Sequence, residues 1–187
     1  MAKKIVGLVA FLALFVGLPY FTYLIVNNKI VIGYNIGYQP DQPIPFSHEM
    51  HAGNLKMDCR YCHTAAEQTR HSSVPSLNVC MNCHNVVKTD SPHIQKLSEA
   101  FYSGGSVQWE KVHLLPDHVK FNHAAHLLSG KGVFKNGGER QACYKCHGVI
   151  EEMPVVYQHS SLSMGWCVNC HRDPEYDAPT NCSTCHY

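Results

Sequence analysis

The sequence has no concentration of basic charge. Lysine and arginine together number 15, aspartate and glutamate number 14, and the formal net charge is +1. No cluster of five or more lysine and arginine residues occurs. Proteins that bind nucleic acid present clustered basic side chains to the phosphates, so the charge pattern gives no support to a nucleic-acid partner.

Cysteine is absent before position 59, and none of the ten cysteines stands outside a repeated motif. The first absence excludes a lipid-modified cysteine beside the N-terminal apolar segment. Each cysteine belongs to a pair with two intervening residues, and a histidine follows each pair directly. The five motifs are Cys59-Arg-Tyr-Cys62-His63, Cys80-Met-Asn-Cys83-His84, Cys143-Tyr-Lys-Cys146-His147, Cys167-Val-Asn-Cys170-His171 and Cys182-Ser-Thr-Cys185-His186.

This motif is typical of covalent attachment of haem c. Two thiols add to the porphyrin vinyl groups, and the histidine that follows becomes the proximal iron ligand. Cysteines three residues apart lie on one side of a helical turn, which holds the next histidine beneath the ring. The sequence therefore predicts five covalently bound haem c groups. The ten cysteines bind the porphyrins, and the proximal iron ligands are His63, His84, His147, His171 and His186.

Two other uses of paired cysteines stay open at this point. Cys62 and Cys80 are separated by seventeen residues, which suits a zinc ribbon. A disulfide framework is natural in a secreted chain rich in cysteine. Neither explains why a histidine follows every pair, and with 14 histidines in 187 residues five such coincidences are improbable. The pattern therefore favours haem.

The second axial position of each iron separates electron carriers from enzymes that bind a substrate. Nine histidines remain for five such positions. Two pairs of them occur in Phe-x-His-x-x-His elements, where histidines three residues apart share one face of a helix and can serve two haems. The sequence predicts as distal ligands His48, His51, His123 and His126, with His113 as the next candidate.

The remaining histidines and two methionines are weaker candidates. Methionine also ligates haem iron, so Met164 and Met153, upstream of the fourth motif, are possible replacements for a histidine there. His159 is a further weak candidate. An exposed histidine is usually an ordinary polar surface residue, which is the interpretation we give to His71, His93 and His118.

The N-terminal segment predicts a membrane anchor. Lys3 and Lys4 precede an uncharged, mostly apolar run of 22 residues at 5–26, long enough to cross a bilayer as a helix. A cleaved signal peptide is the alternative, but no Ala-x-Ala site follows the run. The two lysines favour a cytoplasmic N-terminus. We therefore expect a single-pass protein of the bacterial inner membrane with its haem domain on the periplasmic side.

From Phe46 onward the chain repeats its plan. One Phe-x-His-x-x-His element precedes the first motif and another precedes the third, which predicts two similar dihaem halves in tandem. Between them, the segment from Ser91 to Phe101 predicts a short amphipathic helix that packs between the halves. The predicted divisions are an anchor at 1–28, an extended linker at 29–45, a dihaem half at 46–90, a connector with the short helix at 91–120, and a second dihaem half with the fifth haem at 121–187.

The predicted fold class is a multihaem cytochrome c. A Phe-x-His-x-x-His element followed by Cys-x-x-Cys-His resembles the class III multihaem cytochromes. Together with the segments 42–48, 112–117, 121–123 and 164–172, the chain resembles the membrane-anchored pentahaem cytochrome c subunits of alternative complex III, a quinol-oxidising respiratory complex. We thus expect one transmembrane helix and an extracytoplasmic domain of short helices and loops around the haems, with little sheet.

The resemblance also implies ligands and partners. Its distal ligands are His48, His51, His113, His123 and His126, with Met164 or Met153 as a single departure from bis-histidine ligation. The partners it implies are an iron-sulfur subunit and multi-span membrane subunits that bind quinol. The acceptor is a monohaem cytochrome c or a terminal oxidase.

The predicted function is electron transfer from a quinol-oxidising membrane complex to a periplasmic cytochrome or terminal oxidase, with no catalysis by this chain alone. An alternative is a free-standing, membrane-anchored quinol dehydrogenase with its own quinol site, for which Asp41 and Glu49 are the nearest acidic residues. A third class, a reductase of a small oxyanion, requires a five-coordinate iron. No motif has lysine in place of histidine, so a substrate-binding iron is not required.

Overall fold

A computed structural model of the chain describes residues 2–26, 35–135 and 140–187, which belong to two compact units, Met1–Tyr34 and Asn35–Tyr187. The described ranges consist of helices and irregular segments and contain no β-strand. This agrees with the predicted class of short helices and loops. The end of the predicted anchor and the beginning of the predicted linker, at 27–34, lie outside the described residues.

The N-terminal unit is a helix in three consecutive segments: α1 (Ala2–Leu12), a π-helical turn (Ala13–Gly17) and α2 (Leu18–Val26). Its span Lys3–Leu24 is long and apolar enough to cross a membrane, as is typical of an anchor or a signal sequence. The π turn ends two residues before Pro19, and the Leu18 N–H donates to the Ala13 carbonyl five residues back. Proline has no N–H and crowds the preceding turn, which accounts for the local irregularity.

The second unit is built from short helical elements. Because the Cys-x-x-Cys-His sequences need only one or two helical turns, five of the seven α-helices in its described part carry the motifs. In chain order the elements are a π turn (Glu49–Asn54), α3 (Cys59–Cys62), α4 (Leu77–His84), α5 (Pro92–Tyr102), α6 (His123–Leu127), a 3₁₀ turn (Gly132–Phe134), α7 (Arg140–His147), a 3₁₀ turn (Ile150–Glu152), α8 (Met164–Arg172) and α9 (Cys182–Cys185).

Polar side chains begin several of these helices. Asp58 accepts a hydrogen bond from the Arg60 N–H at the start of α3, and Asn181 accepts one from the Thr184 N–H at the start of α9. Such caps satisfy backbone donors that a helix leaves unpaired. Helices of four residues are too short to be stable alone, so these caps help to fix the motif turns.

The segment predicted as the connector helix forms α5 (Pro92–Tyr102). Ser91 occupies the cap position, but its side chain makes no capping hydrogen bond. The helix ends where Gly104 adopts a φ of +70° and the Gly105 N–H donates to the Ala100 carbonyl at 2.8 Å. Its apolar face packs on α4 of the first half, where Leu97 and Met81 belong to one apolar cluster.

The described part of the predicted extended linker, residues 35–45, packs against the rest of the second unit. Residues 35–45 belong to the second unit, and Ile44 is buried with Met81 and Leu97 in one of its two apolar clusters. The Gln42 side chain bonds both backbone groups of Glu110. Burial of Ile44 and these hydrogen bonds hold the segment against the domain. The glycine and proline content of the segment does not indicate this packing.

The second apolar cluster lies in the C-terminal half. It consists of Leu127, Phe134, Ala142 and Tyr176, with the partly buried Cys170 against it. Gly132 has a φ of +52° and lies under the Tyr176 ring, so a Cβ at this position has no room. Cys80 packs against the first cluster in the same way. Each cluster therefore contacts a helix that carries a motif.

We predict that Leu97→Ala lowers the free energy of unfolding by about 2–4 kcal/mol, because it leaves a cavity between α5 and α4. Leu97 is 4% exposed. Denaturant unfolding of the full chain in detergent measures the change. The control Val86→Ala alters a side chain that is 82% exposed, and it should change stability by less than about 0.5 kcal/mol. Equal effects of the two variants contradict the packing of α5 on α4.

Candidate functional site

The two Phe-x-His-x-x-His elements have the same ring geometry. Phe46 stacks on His51 with ring centres 4.3 Å apart and meets the His48 ring edge-on at 4.9 Å. In the second half, Phe121 lies 4.3 Å from His126 and 4.8 Å from its own edge-on partner, His123. The repetition seen in the sequence is therefore a repetition of structure, and the phenylalanine sets the angle between the two histidines.

Each histidine of these elements faces the histidine of a different motif. The His48 and His63 ring centres are 6.5 Å apart, with planes inclined by 6°. His51 lies 6.2 Å from His84. In the second half the corresponding separations are 6.4 Å between His123 and His147 and 6.0 Å between His126 and His171.

These separations can be tested against a haem iron held between two imidazoles. Two nitrogen–metal bonds of about 2.0 Å each, with the distance from each nitrogen to its ring centre, put axial rings about 6 Å apart. The four pairs lie 6.0–6.5 Å apart. The residues present therefore fit a bis-histidine haem at each of the first four motifs.

The fifth motif has a partner that the sequence analysis missed. His118, interpreted there as a surface residue, has its ring centre 5.5 Å from that of His186, with planes inclined by 22°. The Lys120 N–H also donates to the Cys185 carbonyl at 2.8 Å, which joins the two segments. No local pattern marks His118. Its only sequence signal is that four histidines in Phe-x-His-x-x-His elements leave one of five motifs unpartnered.

His113 occupies another kind of position. Its Nε2 lies 3.0 Å from Nδ1 of His147, and the two rings meet at 80°. His147 already faces His123 with its planes nearly parallel. The structure thus brings His113 to the outer nitrogen of a motif histidine, whereas the sequence predicts it as a distal ligand.

The remaining candidates lie apart from the motif histidines. His71, His93 and His159 are exposed and, among the described residues, make no ring contact with a motif histidine. Met164, at the start of α8, is 69% exposed. Met153 is buried at 5% exposure, and its carbonyl accepts a hydrogen bond from the Glu49 N–H.

Backbone carbonyls fix the orientation of most of the paired imidazoles. The carbonyl accepts a hydrogen bond from Nδ1 in each case, so that Nε2 is free to bind a metal. The bonds join His63 to Ser73 at 2.7 Å, His84 to Val87 at 3.0 Å, His171 to Pro179 at 2.6 Å, His186 to His118 at 3.0 Å, His51 to Ser47 at 2.8 Å, His123 to Arg70 at 2.9 Å and His126 to Asn122 at 2.7 Å. Nδ1 of His48 is buried without a partner in the described part of the chain.

Burial keeps several of these histidines neutral. It lowers the pKa of His48 to about 4 and that of His147 to about 3, with nearby imidazoles adding to the effect. The pKa values of His123 and His126 are lowered by the same cause. Desolvation disfavours the charged imidazolium, and the neutral imidazole is the form that coordinates iron.

The motifs do not follow their sequence order in space. Cys59 and Cys143 share a hydrogen bond that lowers the pKa of the Cys59 thiol to about 6 and raises that of Cys143. Burial raises the thiol pKa values of Cys62, Cys146 and Cys167. A cysteine of a neighbouring motif raises each of these pKa values further: Cys80 for Cys62, Cys170 for Cys146 and Cys185 for Cys167. The resulting spatial order is second, first, third, fourth and fifth.

Arg140 links the first motif to the third. At the start of α7, its guanidinium donates to the Met57 carbonyl at 3.0 Å and to the Ala52 carbonyl at 3.3 Å. It also pairs with the Glu151 carboxylate. The planar guanidinium can donate in several directions at once, so this one side chain joins three segments next to the Cys59–Cys143 contact.

Comparison with known proteins finds a relative in Nitratidesulfovibrio vulgaris strain Hildenborough. That protein is the multihaem cytochrome c subunit of a menaquinone reductase, and it is 31% identical to this chain over 163 residues. The alignment covers 79% of this chain and 78% of the relative. No family model matches the chain. The similarity therefore extends far beyond any single motif.

We predict that Arg140→Ala lowers the free energy of unfolding by about 1–3 kcal/mol, because it removes charge-assisted hydrogen bonds and leaves carbonyl groups unpaired. Arg140→Lys should recover only part of this loss, since an ammonium cannot reproduce the planar fork. Denaturant unfolding measures both, with the exposed Lys111→Ala as a control for loss of a basic charge. If Arg140→Ala is as stable as the control, the guanidinium does not join the two motifs.

Proposed function

Because the chain belongs to the multihaem cytochromes c, we propose that it holds one haem c at each of its five motifs and carries electrons between a membrane quinone pool and a redox partner. Its relative is a multihaem cytochrome c, which supports covalent haem over zinc or disulfides at the cysteine pairs. The proposal of five haems is supported by the complete set of two cysteines and one histidine in every motif.

The observation that carries the proposal is the set of five histidine pairs with ring centres 5.5–6.5 Å apart. Two axial imidazoles fill the coordination of an iron and leave no position for a substrate, so this arrangement favours electron transfer over reduction of a small oxyanion. The proposed axial pairs are His63 with His48, His84 with His51, His147 with His123, His171 with His126 and His186 with His118.

When bound, each haem supplies an iron that alternates between the ferric and ferrous forms. The residues of the chain hold and orient this group. The cysteines of each motif anchor the porphyrin edge, and the carbonyl-bound imidazoles keep Nε2 directed at the iron position. His147 and His123 are partly buried, which limits the access of water to their pairs. In this proposal the methionines and His159 have no axial role.

The order of the motifs supports a defined route. The second and fifth motifs lie at the two ends of the spatial order, with the first, third and fourth between them. We infer that partners exchange electrons with the chain at these two ends. Cys83 and Cys182, which belong to the end motifs, are exposed, whereas the other eight cysteines are partly buried.

The finer assignment follows the resemblance to alternative complex III. In this proposal the N-terminal helix anchors the chain in a bacterial inner membrane, with a cytoplasmic N-terminus and a periplasmic haem domain. Multi-span subunits oxidise quinol, an iron-sulfur subunit joins them, and a monohaem cytochrome c or a terminal oxidase accepts the electrons.

A second candidate reverses the direction of electron flow. The relative is a subunit of a menaquinone reductase, which favours delivery of electrons to a quinone. The route through the chain is the same in both cases. A free-standing quinol dehydrogenase has less support, because Asp41 and Glu49, the acidic residues considered for its quinol site, are exposed.

We predict that the chain extracted from its native membrane in mild detergent migrates with multi-span and iron-sulfur partners in a haem-stained band. Mass spectrometry identifies the partners. The direction follows from two assays of that band: quinol-dependent reduction of a soluble cytochrome c supports quinol oxidation, and reduction of a menaquinone analogue by an artificial donor supports the reverse. If the chain migrates alone and still oxidises quinol, the free-standing dehydrogenase is correct.

We predict that His118→Phe converts about one fifth of the haem from low-spin to high-spin, because phenylalanine cannot ligate the fifth iron. Electron paramagnetic resonance of the oxidised protein measures the change. The control His93→Phe, at an exposed position on α5, should leave the spectrum unchanged. An unchanged spectrum for His118→Phe would mean that His118 is the surface residue that sequence analysis predicts.

A further inference from the structure

The motif histidines differ in what their outer nitrogen contacts. In four of the five motifs, Nδ1 of the histidine bonds to a backbone carbonyl. In the third motif, Nδ1 of His147 instead lies 3.0 Å from Nε2 of His113, an imidazole side chain. The third motif is also the middle of the spatial order, between the first and the fourth. The histidine of the third motif therefore differs from the other four in the partner of its Nδ1.

The proton in this contact has one arrangement when His147 binds iron through Nε2. Two nitrogens 3.0 Å apart share a single proton in a hydrogen bond. A neutral imidazole that uses Nε2 as a ligand carries its proton on Nδ1, so His147 donates. His113 then accepts at Nε2 and carries its own proton on Nδ1. The rings meet at 80°, with their centres 4.3 Å apart.

The backbone beside His113 is held in place by a fully buried glutamine. Gln158 is 0% exposed, and its Oε1 accepts a hydrogen bond from the Leu114 N–H at 2.9 Å. Its Nε2 donates to the Ser160 carbonyl at 3.0 Å. A buried polar side chain with both amide groups bonded has little freedom, so the segment that carries His113 cannot shift from His147 without breaking these bonds.

The contact also lies in the interior, where the first and third motifs meet. His48, His63 and His123 are the neighbouring imidazoles around His113 and His147. A low-dielectric setting strengthens a hydrogen bond relative to water. It also makes the loss of an acceptor costly, because solvent has limited access to this partly buried N–H.

From this geometry we propose that His113 is a positioning residue that accepts a hydrogen bond from the iron ligand His147 and thereby lowers the reduction potential of the haem at the third motif. The proposal rests on the proposed function, since it takes His147 as an iron ligand. A hydrogen bond from the outer nitrogen raises the basicity of a ligating histidine, and a more basic ligand favours ferric iron. An imidazole nitrogen acts here in place of the carbonyl used at the other motifs.

The experiment compares three variants of the full-length protein in its native complex. His113→Phe removes the acceptor and keeps a flat ring, and His113→Gln restores an acceptor oxygen near the Nε2 position. His93→Phe, on the exposed side of α5, is the matched control. Redox titration followed by visible absorption measures the potentials, electron paramagnetic resonance measures the spin state, and intact mass measures the number of bound haems.

The expected result is that His113→Phe keeps every haem low-spin and raises the potential of one haem, while the other four are unchanged. His113→Gln should fall between His113→Phe and the unaltered protein, and His93→Phe should change nothing. A high-spin signal in His113→Phe overturns the proposal, because it makes His113 an axial ligand. Unchanged potentials with all haems bound and low-spin also overturn it. A mass that lacks a haem in the unaltered protein contradicts the proposed function instead.

Discussion

The hydrogen bond at Nδ1 of eight of the ten paired histidines is the constraint on which the site depends. An imidazole on a short helix or loop can rotate, and only one of its nitrogens can bind iron in a given orientation. Seven backbone carbonyls remove this freedom by accepting from Nδ1, and His113 does so for His147. The orientation of the ligands is therefore a property of the backbone, which short capped helices can supply without a large core.

The apolar clusters and Arg140 hold the motifs at fixed distances from one another. The two apolar clusters are small, and each contacts a cysteine of a motif, Cys80 in one and Cys170 in the other. Arg140 adds a polar connection where the first motif meets the third. In each Phe-x-His-x-x-His element, the two histidines face the histidines of two different motifs. Local turns, apolar contacts and the Arg140 guanidinium together place neighbouring motifs next to one another.

The features that could be predicted from the sequence are those that depend on residues close together along the chain. The five motifs, the apolar N-terminal helix and α5 follow from spacing, length and helix-end residues, and the structure contains each of them. The pairing of His118 with His186 could not be predicted, because 68 residues separate them and no pattern marks His118. The contact of His113 with His147 could not be predicted for a similar reason, because Gln158, far along the chain, holds the backbone beside His113. The packing of 35–45 likewise depends on Ile44 meeting α4 and α5.

The central claim is that each of the five motifs holds a haem, and the intact mass of the denatured chain tests it most directly. Thioether bonds survive denaturation, whereas zinc and unattached groups do not remain bound. We expect a mass equal to the polypeptide plus five haem groups, with a visible haem spectrum in the same chromatographic peak. A mass of the polypeptide alone, or with fewer than five haems, would contradict it.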